Sequence, residues 1–87
     1  MKIYVVKSEV NVDGEIFFDA IPCKTEEAAK RVFENEKENV FKKGYHFSIL
    51  EKDEYEIEDE PNHYFINDLS DDYYCEFLII EKTLIEE

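Results

Sequence analysis

The sequence predicts an α+β fold: a four- to five-stranded antiparallel or mixed sheet with one helix packed on one face, in the order ββαβ(β)β. Three observations predict it. A β-branched and aromatic opening run is joined through Asp13-Gly14 to a second such run, one segment of helical periodicity follows Thr25, and the chain closes on the apolar run YYCEFLIIEKTL. The 87 residues fit a single domain, 1–87. At that size a chain buries roughly 60 to 65% of its unfolded surface, so its core must be small and well filled.

From Lys2 to Glu9, the residues Ile3, Tyr4, Val5 and Val6 suit a central strand covered on both faces for part of its length. Asp13-Gly14 supplies the positive φ of a tight hairpin, and EIFFDAI returns as the antiparallel partner. Pro22 ends that strand. Thr25, followed by Glu26 and Glu27, is a helix start, because a hydroxyl caps free N–H groups and acids complement the helix dipole. Ala29, Val32, Phe33 and Val40 recur at helical spacing, and Lys42 and Lys43 precede Gly44, a residue type that favours a left-handed C-terminal cap. The helix is therefore expected over Glu26 to Lys43.

Tyr45 to Leu50 reads as a third strand, with Phe47 and Ile49 on one face. In the segment that follows, Tyr55 and Ile57 alternate with Glu54, Glu56 and Glu58. An extended backbone there turns the apolar pair inward and three carboxylates outward. Pro61 breaks the segment, Asn62 to Ser70 fits either a short strand or a helical turn, and Tyr73 to Leu84 is the final strand. A helix on one face leaves the other sheet face open, where a partner can sit.

Seven Phe and six Tyr within a 44% apolar share set the chain apart from disordered acidic tails, so it is expected to fold. No stretch of about 18 uncharged apolar residues occurs, and MKIYVVKSEV alternates where a signal peptide has a continuous apolar block. The expectation is a cytoplasmic protein with no membrane partner. Cys23 and Cys75 then read as free thiols in a reducing compartment, with a structural disulfide as the alternative.

Catalytic and metal motifs are absent from the sequence. Cys23, His46, His63 and Cys75 lack the paired spacings that hold zinc ligands on one turn, and no local motif marks a Cys–His nucleophile. The acids after Asp53, and those of Asp68-Leu-Ser-Asp71-Asp72, lack the glycine that a twelve-residue calcium loop needs at its sixth position, which leaves at most a weak divalent site. Two glycines cannot build most phosphate cradles. A non-enzymatic protein without cofactor is expected.

Charge is the informative feature. The net charge is −13, yet residues 1–50 hold nine acids against eight bases, a net of −1, while residues 51–87 hold fourteen acids against two bases, a net of −12. Seven of the ten residues in EKDEYEIEDE, from Glu51 to Glu60, are carboxylates. Such a surface repels nucleic acid and anionic membranes, so direct nucleic-acid binding is not expected. One reading is a solvated face that confers solubility. The sharper reading is a surface that docks on a basic one, since a partner's cations relieve the mutual repulsion. Nucleic-acid-binding proteins line their grooves with Lys and Arg, and an extended row of Glu54, Glu56 and Glu58 would space its carboxylates about 6.6 to 6.8 Å apart, twice the strand rise. Neighbouring Asp59, Glu60, Asp68, Asp71 and Asp72 would complete the surface. Tyr55, Tyr64, Phe65, Tyr73 and Tyr74 interleave with these acids as core packing or as interface anchors. Tyr73 and Tyr74 must face opposite sides of a strand, which is expected to leave one of them exposed, and Tyr73 joins the candidate surface.

In its length, its run EKDEYEIEDE, its patch NDLSDDYY and its lack of a catalytic motif, the chain resembles the small acidic inhibitors that bacteriophages and mobile elements encode against host defence, of the anti-restriction and anti-CRISPR kind. The resemblance implies a mode of action, occupation of a basic surface on a nuclease or CRISPR effector, by a monomer or homodimer. It transfers no specific residue. The alternative is a small accessory or assembly domain whose acids only confer solubility.

Overall fold

The computed structural model describes residues 1–83, so Leu84, the expected last residue of the final strand, lies outside the described residues. The elements are β1 (Lys2–Val12), β2 (Glu15–Cys23), α1 (Glu26–Asn39), a 3₁₀ turn (His46–Ile49), β3 (Tyr55–Glu60), β4 (His63–Asp68) and β5 (Tyr73–Thr83). All five strands form one antiparallel sheet in the order β2-β1-β5-β4-β3. The fold is thus α+β, in the order ββαβββ. No helix among the described residues is long and apolar enough to cross a membrane.

The β1–β2 hairpin forms as its turn residues dictate. Asp13 (φ 51°) and Gly14 (φ 92°) are both left-handed, and Val12 pairs with Glu15 across them. Directly paired residues share a face, so the register sorts the side chains. One face carries Val6 and Val10 of β1, Tyr73, Cys75, Phe77 and Ile79 of β5, Tyr64 and Ile66 of β4, and Tyr55 and Ile57 of β3. It meets Ala29, Phe33 and Val40 from α1 and its end, and Phe47 from the 3₁₀ turn, to make the core. Among these Ile57, on the edge strand β3, stays 42% exposed. The opposite face carries Ile3, Val5, Lys7 and Glu9 of β1, Tyr74, Glu76 and Leu78 of β5, Phe65 of β4 and Phe18 of β2. Those side chains are exposed or half-buried, so this face is the open one.

The helix starts as expected. Thr25 Oγ1 accepts the Ala28 N–H at 3.1 Å, with Glu26 and Glu27 in the first turn. It ends at Asn39, four residues before the expected Lys43. The Val40 N–H bonds to the Lys37 carbonyl and the Lys42 N–H to that of Asn39, and these tighter bonds wind the end down. Gly44 (φ 96°) serves the turn that follows and is not the helix cap.

The expected third strand at Tyr45–Leu50 is a 3₁₀ turn. β5 lies between β1 and β4, and β4 between β5 and β3, so the interior of the sheet is filled, and the segment joins neither edge but packs on the core through Phe47. Phe47 is 2% exposed while Ile49 is 80% exposed, so the two do not share an inner face. Phe47 packs edge-on against Tyr55 and Tyr73, and Ser48 closes the turn through its N–H and Oγ on the Tyr45 carbonyl. The third strand is instead Tyr55–Glu60, and the ambiguous segment from Asn62 resolves as the strand β4.

Candidate partner-binding surface

β3 forms an outer edge of the sheet, with one ladder partner and no second strand beside it among the described residues. Glu56, Glu58 and Glu60 pair with Asn67, Phe65 and His63, which places the three carboxylates in one exposed row on the open face. Their spacing of two residues corresponds to about 6.6 to 6.8 Å along the strand. The row differs by one step from the expected Glu54, Glu56 and Glu58. Glu54 precedes the strand, its Oε2 accepts the Glu51 N–H at 2.8 Å, and its carbonyl takes the Leu69 N–H at 3.0 Å. It ties the β3 entry to the loop after β4.

Asp59 faces the other way. Its Oδ1 lies 2.9 Å from Lys37 Nζ, which also reaches Glu34 at 3.4 Å and sits 5.4 Å from the ring centres of both Phe33 and Tyr64. The Asp59 bond holds the Lys37 ammonium above its usual range, and burial pushes the Tyr64 hydroxyl up to about 12. Asp59 therefore fastens β3 to α1, and its charge already has a partner.

Asp68, Asp71, Asp72 and Tyr73 gather around the β4–β5 loop, and they do not act alike. Asp68 is buried, with 2% of its side chain exposed, so it is no surface acid. Its Oδ2 meets His46 Nε2 at 2.5 Å, and its Oδ1 accepts the N–H groups of Ser70 and Asp71. The His46 bond, followed by that of Ser70, holds the Asp68 carboxyl below the usual carboxylate range. Tyr73 stacks on the His46 ring at 4.0 Å and is half-buried, as is Tyr74 on the other face. The two tyrosines do face opposite sides, but neither is exposed. Asp72 is exposed, and it joins the loop to the β1–β2 hairpin. Its Oδ1 accepts from Asn11 Nδ2 at 2.5 Å, and its carbonyl takes the Asp13 N–H at 2.8 Å. Asp71 is exposed and free of such ties among the described residues, apart from its backbone bonds to Asp68 and Tyr73.

Ligand-type atoms of His46, Asp68 and Asp71 lie within 4.8 Å of one another. The Asp68 carboxylate is already spent on three hydrogen bonds that close the loop. Of the other residues weighed for zinc, Cys23 and Cys75 lie on the helix side of the sheet and His63 on the open side, so the four are not brought together. Cys23 pairs with Tyr4 and Cys75 with Val10, six positions along β1 or roughly 20 Å, and both are free thiols.

Sequence reasoning missed the centre of the open face. One row across the sheet reads Phe18, Glu9, Glu76, Phe65, Glu58 from β2 to β3. Glu9 and Glu76 stand directly opposite each other. The Tyr74 hydroxyl donates to Glu9, a bond that pushes its pKa up to about 12, and His63 Nε2 lies 2.8 Å from Glu76 Oε2. A groove of about 490 Å³ borders this pair, lined by Lys7, Glu9, Phe18, Ala20, Glu76 and Leu78. No local signal announces it, because only strand order brings Glu9 beside Glu76.

Compared with protein-family models, with curated proteins and with solved structures, the chain matches none. Fold and surface together define an antiparallel α+β domain with one acidic sheet edge and an open, acid-bearing face.

Proposed function

We propose that this protein is a non-enzymatic binding protein that inhibits or modulates a nucleic-acid-processing protein, of the anti-CRISPR or anti-restriction kind, by setting its acidic edge on the partner's basic surface. The observation that carries this reading is the row of Glu56, Glu58 and Glu60 on the free edge β3. A regular strand holds these carboxylates at fixed spacing, and none of the three has an ion-pair partner among the described residues. Fixed, uncompensated charges gain most when a cationic groove covers them. Glu9 and Glu76 extend the acidic surface inward, with Phe65 and Tyr74 as aromatic contact area beside them.

The test is cleavage of labelled DNA or RNA by a panel of purified CRISPR effectors and restriction nucleases, with this protein titrated in. Inhibition of one panel member that falls steeply as salt rises supports the reading, because exposed charges are screened over about 8 Å at 0.15 M. Replacing Glu56, Glu58 and Glu60 by Lys abolishes it, while the same change at the exposed helix residues Glu27, Glu34 and Glu38 leaves most of it. Equal loss from both triple variants reduces the effect to bulk charge. A nuclease that releases no nucleic acid while binding this protein overturns the reading.

A second reading, an assembly domain whose acids only confer solubility, is favoured by the apolar edge β2, which has no second strand beside it among the described residues. Under it, the Glu56, Glu58 and Glu60 variant retains every association of the parent.

A further inference from the structure

The two edges of the sheet are opposites. β3 carries Glu56, Glu58, Asp59 and Glu60, and charge on an edge strand blocks pairing with another chain. β2 carries Ile16, Phe17 and Phe18, exposed by 49%, 56% and 74%. β2 carries fewer such guards, Glu15, Asp19 and Pro22, and its exposed apolar run of Ile16, Phe17 and Phe18 is a pairing site. We propose that β2 pairs antiparallel with β2 of a second copy of this chain, in the register that sets Phe18 opposite Phe18 of the partner, to form one continuous ten-stranded sheet.

The direction of each backbone group in β2 follows from three observations. In a two-residue hairpin the residues flanking the turn exchange both hydrogen bonds, so Glu15 points its N–H and C=O at β1. Alternation then turns Ile16, Phe18, Ala20 and Pro22 outward. Pro22 has no N–H to offer, which suits an outward position on an edge. The Ala20 N–H finds no strand partner and takes the Asp19 carboxylate at 2.9 Å. Outward groups must face outward groups, which excludes every register that opposes an odd-numbered residue to an even-numbered one.

Charge, Pro22 and the turn then select among the rest: centring the pair on Ala20 sets Pro22, which has no N–H to give, opposite Phe18, and centring it on Ile16 sets Gly14 of the turn opposite Phe18. Centring the pair on Phe17 sets Glu15 opposite Asp19 of the partner, twice over, and centring it on Asp19 opposes the two Asp19 carboxylates. Like charges directly opposite are destabilising. Centred on Phe18, the pairs are Phe18 with its copy, Ile16 with Ala20, Phe17 with Asp19 and Glu15 with Ile21, and no acid opposes an acid. The outward groups of Ile16 and Phe18 enter the ladder directly, and the Ala20 N–H enters it by exchanging the Asp19 carboxylate for the Ile16 carbonyl of the second copy.

The occupant is a second copy because the strand is complementary to itself and because the charge distribution permits it. Residues 1–50, which include β2, carry a net of −1, whereas the acidic edges lie at the two ends of the joined sheet. Nine strand spacings separate them, roughly 43 Å, several screening lengths at physiological salt. α1 lies chiefly over β1 and β5, set back from the seam.

The test uses the full chain. Light scattering after gel filtration gives twice the monomer mass of 10.4 kDa for the parent and the monomer mass for Phe18→Lys. Because Phe18 is 74% exposed, that variant keeps the far-UV spectrum of the parent. The register is read with Phe18→Cys in a Cys23→Ser background. Hydrogen-bonded opposite residues have Cα atoms about 5.5 Å apart, within disulfide reach, so mild oxidation yields a covalent dimer. Phe17→Cys in the same background yields little. A parent that runs at the monomer mass at hundreds of micromolar, a dimer that survives Phe18→Lys, or cross-linking through position 17 in place of 18 overturns the proposal.

Discussion

Glu9 and Glu76 face each other across neighbouring strands at the centre of the open sheet face, each held by one hydrogen-bonding neighbour, Tyr74 and His63 respectively. Directly opposed like charges cost about 0.2 to 1 kcal/mol in a sheet. The fold tolerates them where an apolar pair would serve it better, which marks the pair as a feature of the surface and not of the core.

Glu76→Gln is therefore expected to stabilise the protein slightly, by about 0.2 to 1 kcal/mol, because the amide oxygen still accepts from His63 while the repulsion is removed. Urea unfolding of parent and variant at pH 7 measures it. A loss above about 1 kcal/mol would show that the His63–Glu76 bond outweighs the repulsion.

Lys37 joins α1 to β3 through Asp59 and rests its ammonium on Phe33 and Tyr64. Asp59 is half in water, so solvent screens the ion pair, and Lys37→Met is expected to cost only about 1 kcal/mol. Asp59→Asn in the same test costs less, since the cation–aromatic contacts survive. Chemical denaturation of both single variants and the double variant gives the coupling directly.

The Asp68 carboxyl is held below its usual range by His46 and the Ser70 N–H, so the folded state favours its ionised form. That contribution is fully present above the unfolded-state value of about 3.9 and is lost as pH falls through the lower folded value. Asp68→Asn should be less stable than the parent near neutrality, with the gap narrowing through the acid range. A pH series of unfolding midpoints measures this, and a gap that stays constant with pH would sink the assignment.

Burial pushes the Cys75 thiol up to about 11 and leaves the residue 7% exposed. Cys23 sits half-buried at the end of β2. A thiol reagent at about pH 8 should label one cysteine per chain in the folded protein, and the second only after denaturant is added. Mass mapping identifies the first as Cys23.

Much of the fold was legible in local pattern. Asp13-Gly14 announces the hairpin, Thr25 with Glu26 and Glu27 announces the helix start, and Ala29 and Phe33 form its buried side, continued by Val40 at its C-cap, as their spacing requires. The candidate site was legible only in part. The acids of residues 54–60 are visible as a run, but which of them share a face depends on where β3 begins, and the strand starts at Tyr55, after Glu54. Tyr45–Leu50 has the composition of a strand, yet it joins neither edge of the sheet, and Phe47 is anchored instead by Tyr55 and Tyr73.

The sequence by itself determined the first hairpin and the last strand, the start of the single helix and the concentration of charge in the second part of the chain, because each follows from neighbours within a few residues. Only the tertiary structure decided the order β2-β1-β5-β4-β3. That order makes β3 an acidic edge and β2 an apolar one, buries Asp68 against His46, and brings Glu9 beside Glu76. The physical reason is that ladder pairing between distant strands is chosen by which faces must be buried together, a condition on the whole chain that no local period encodes.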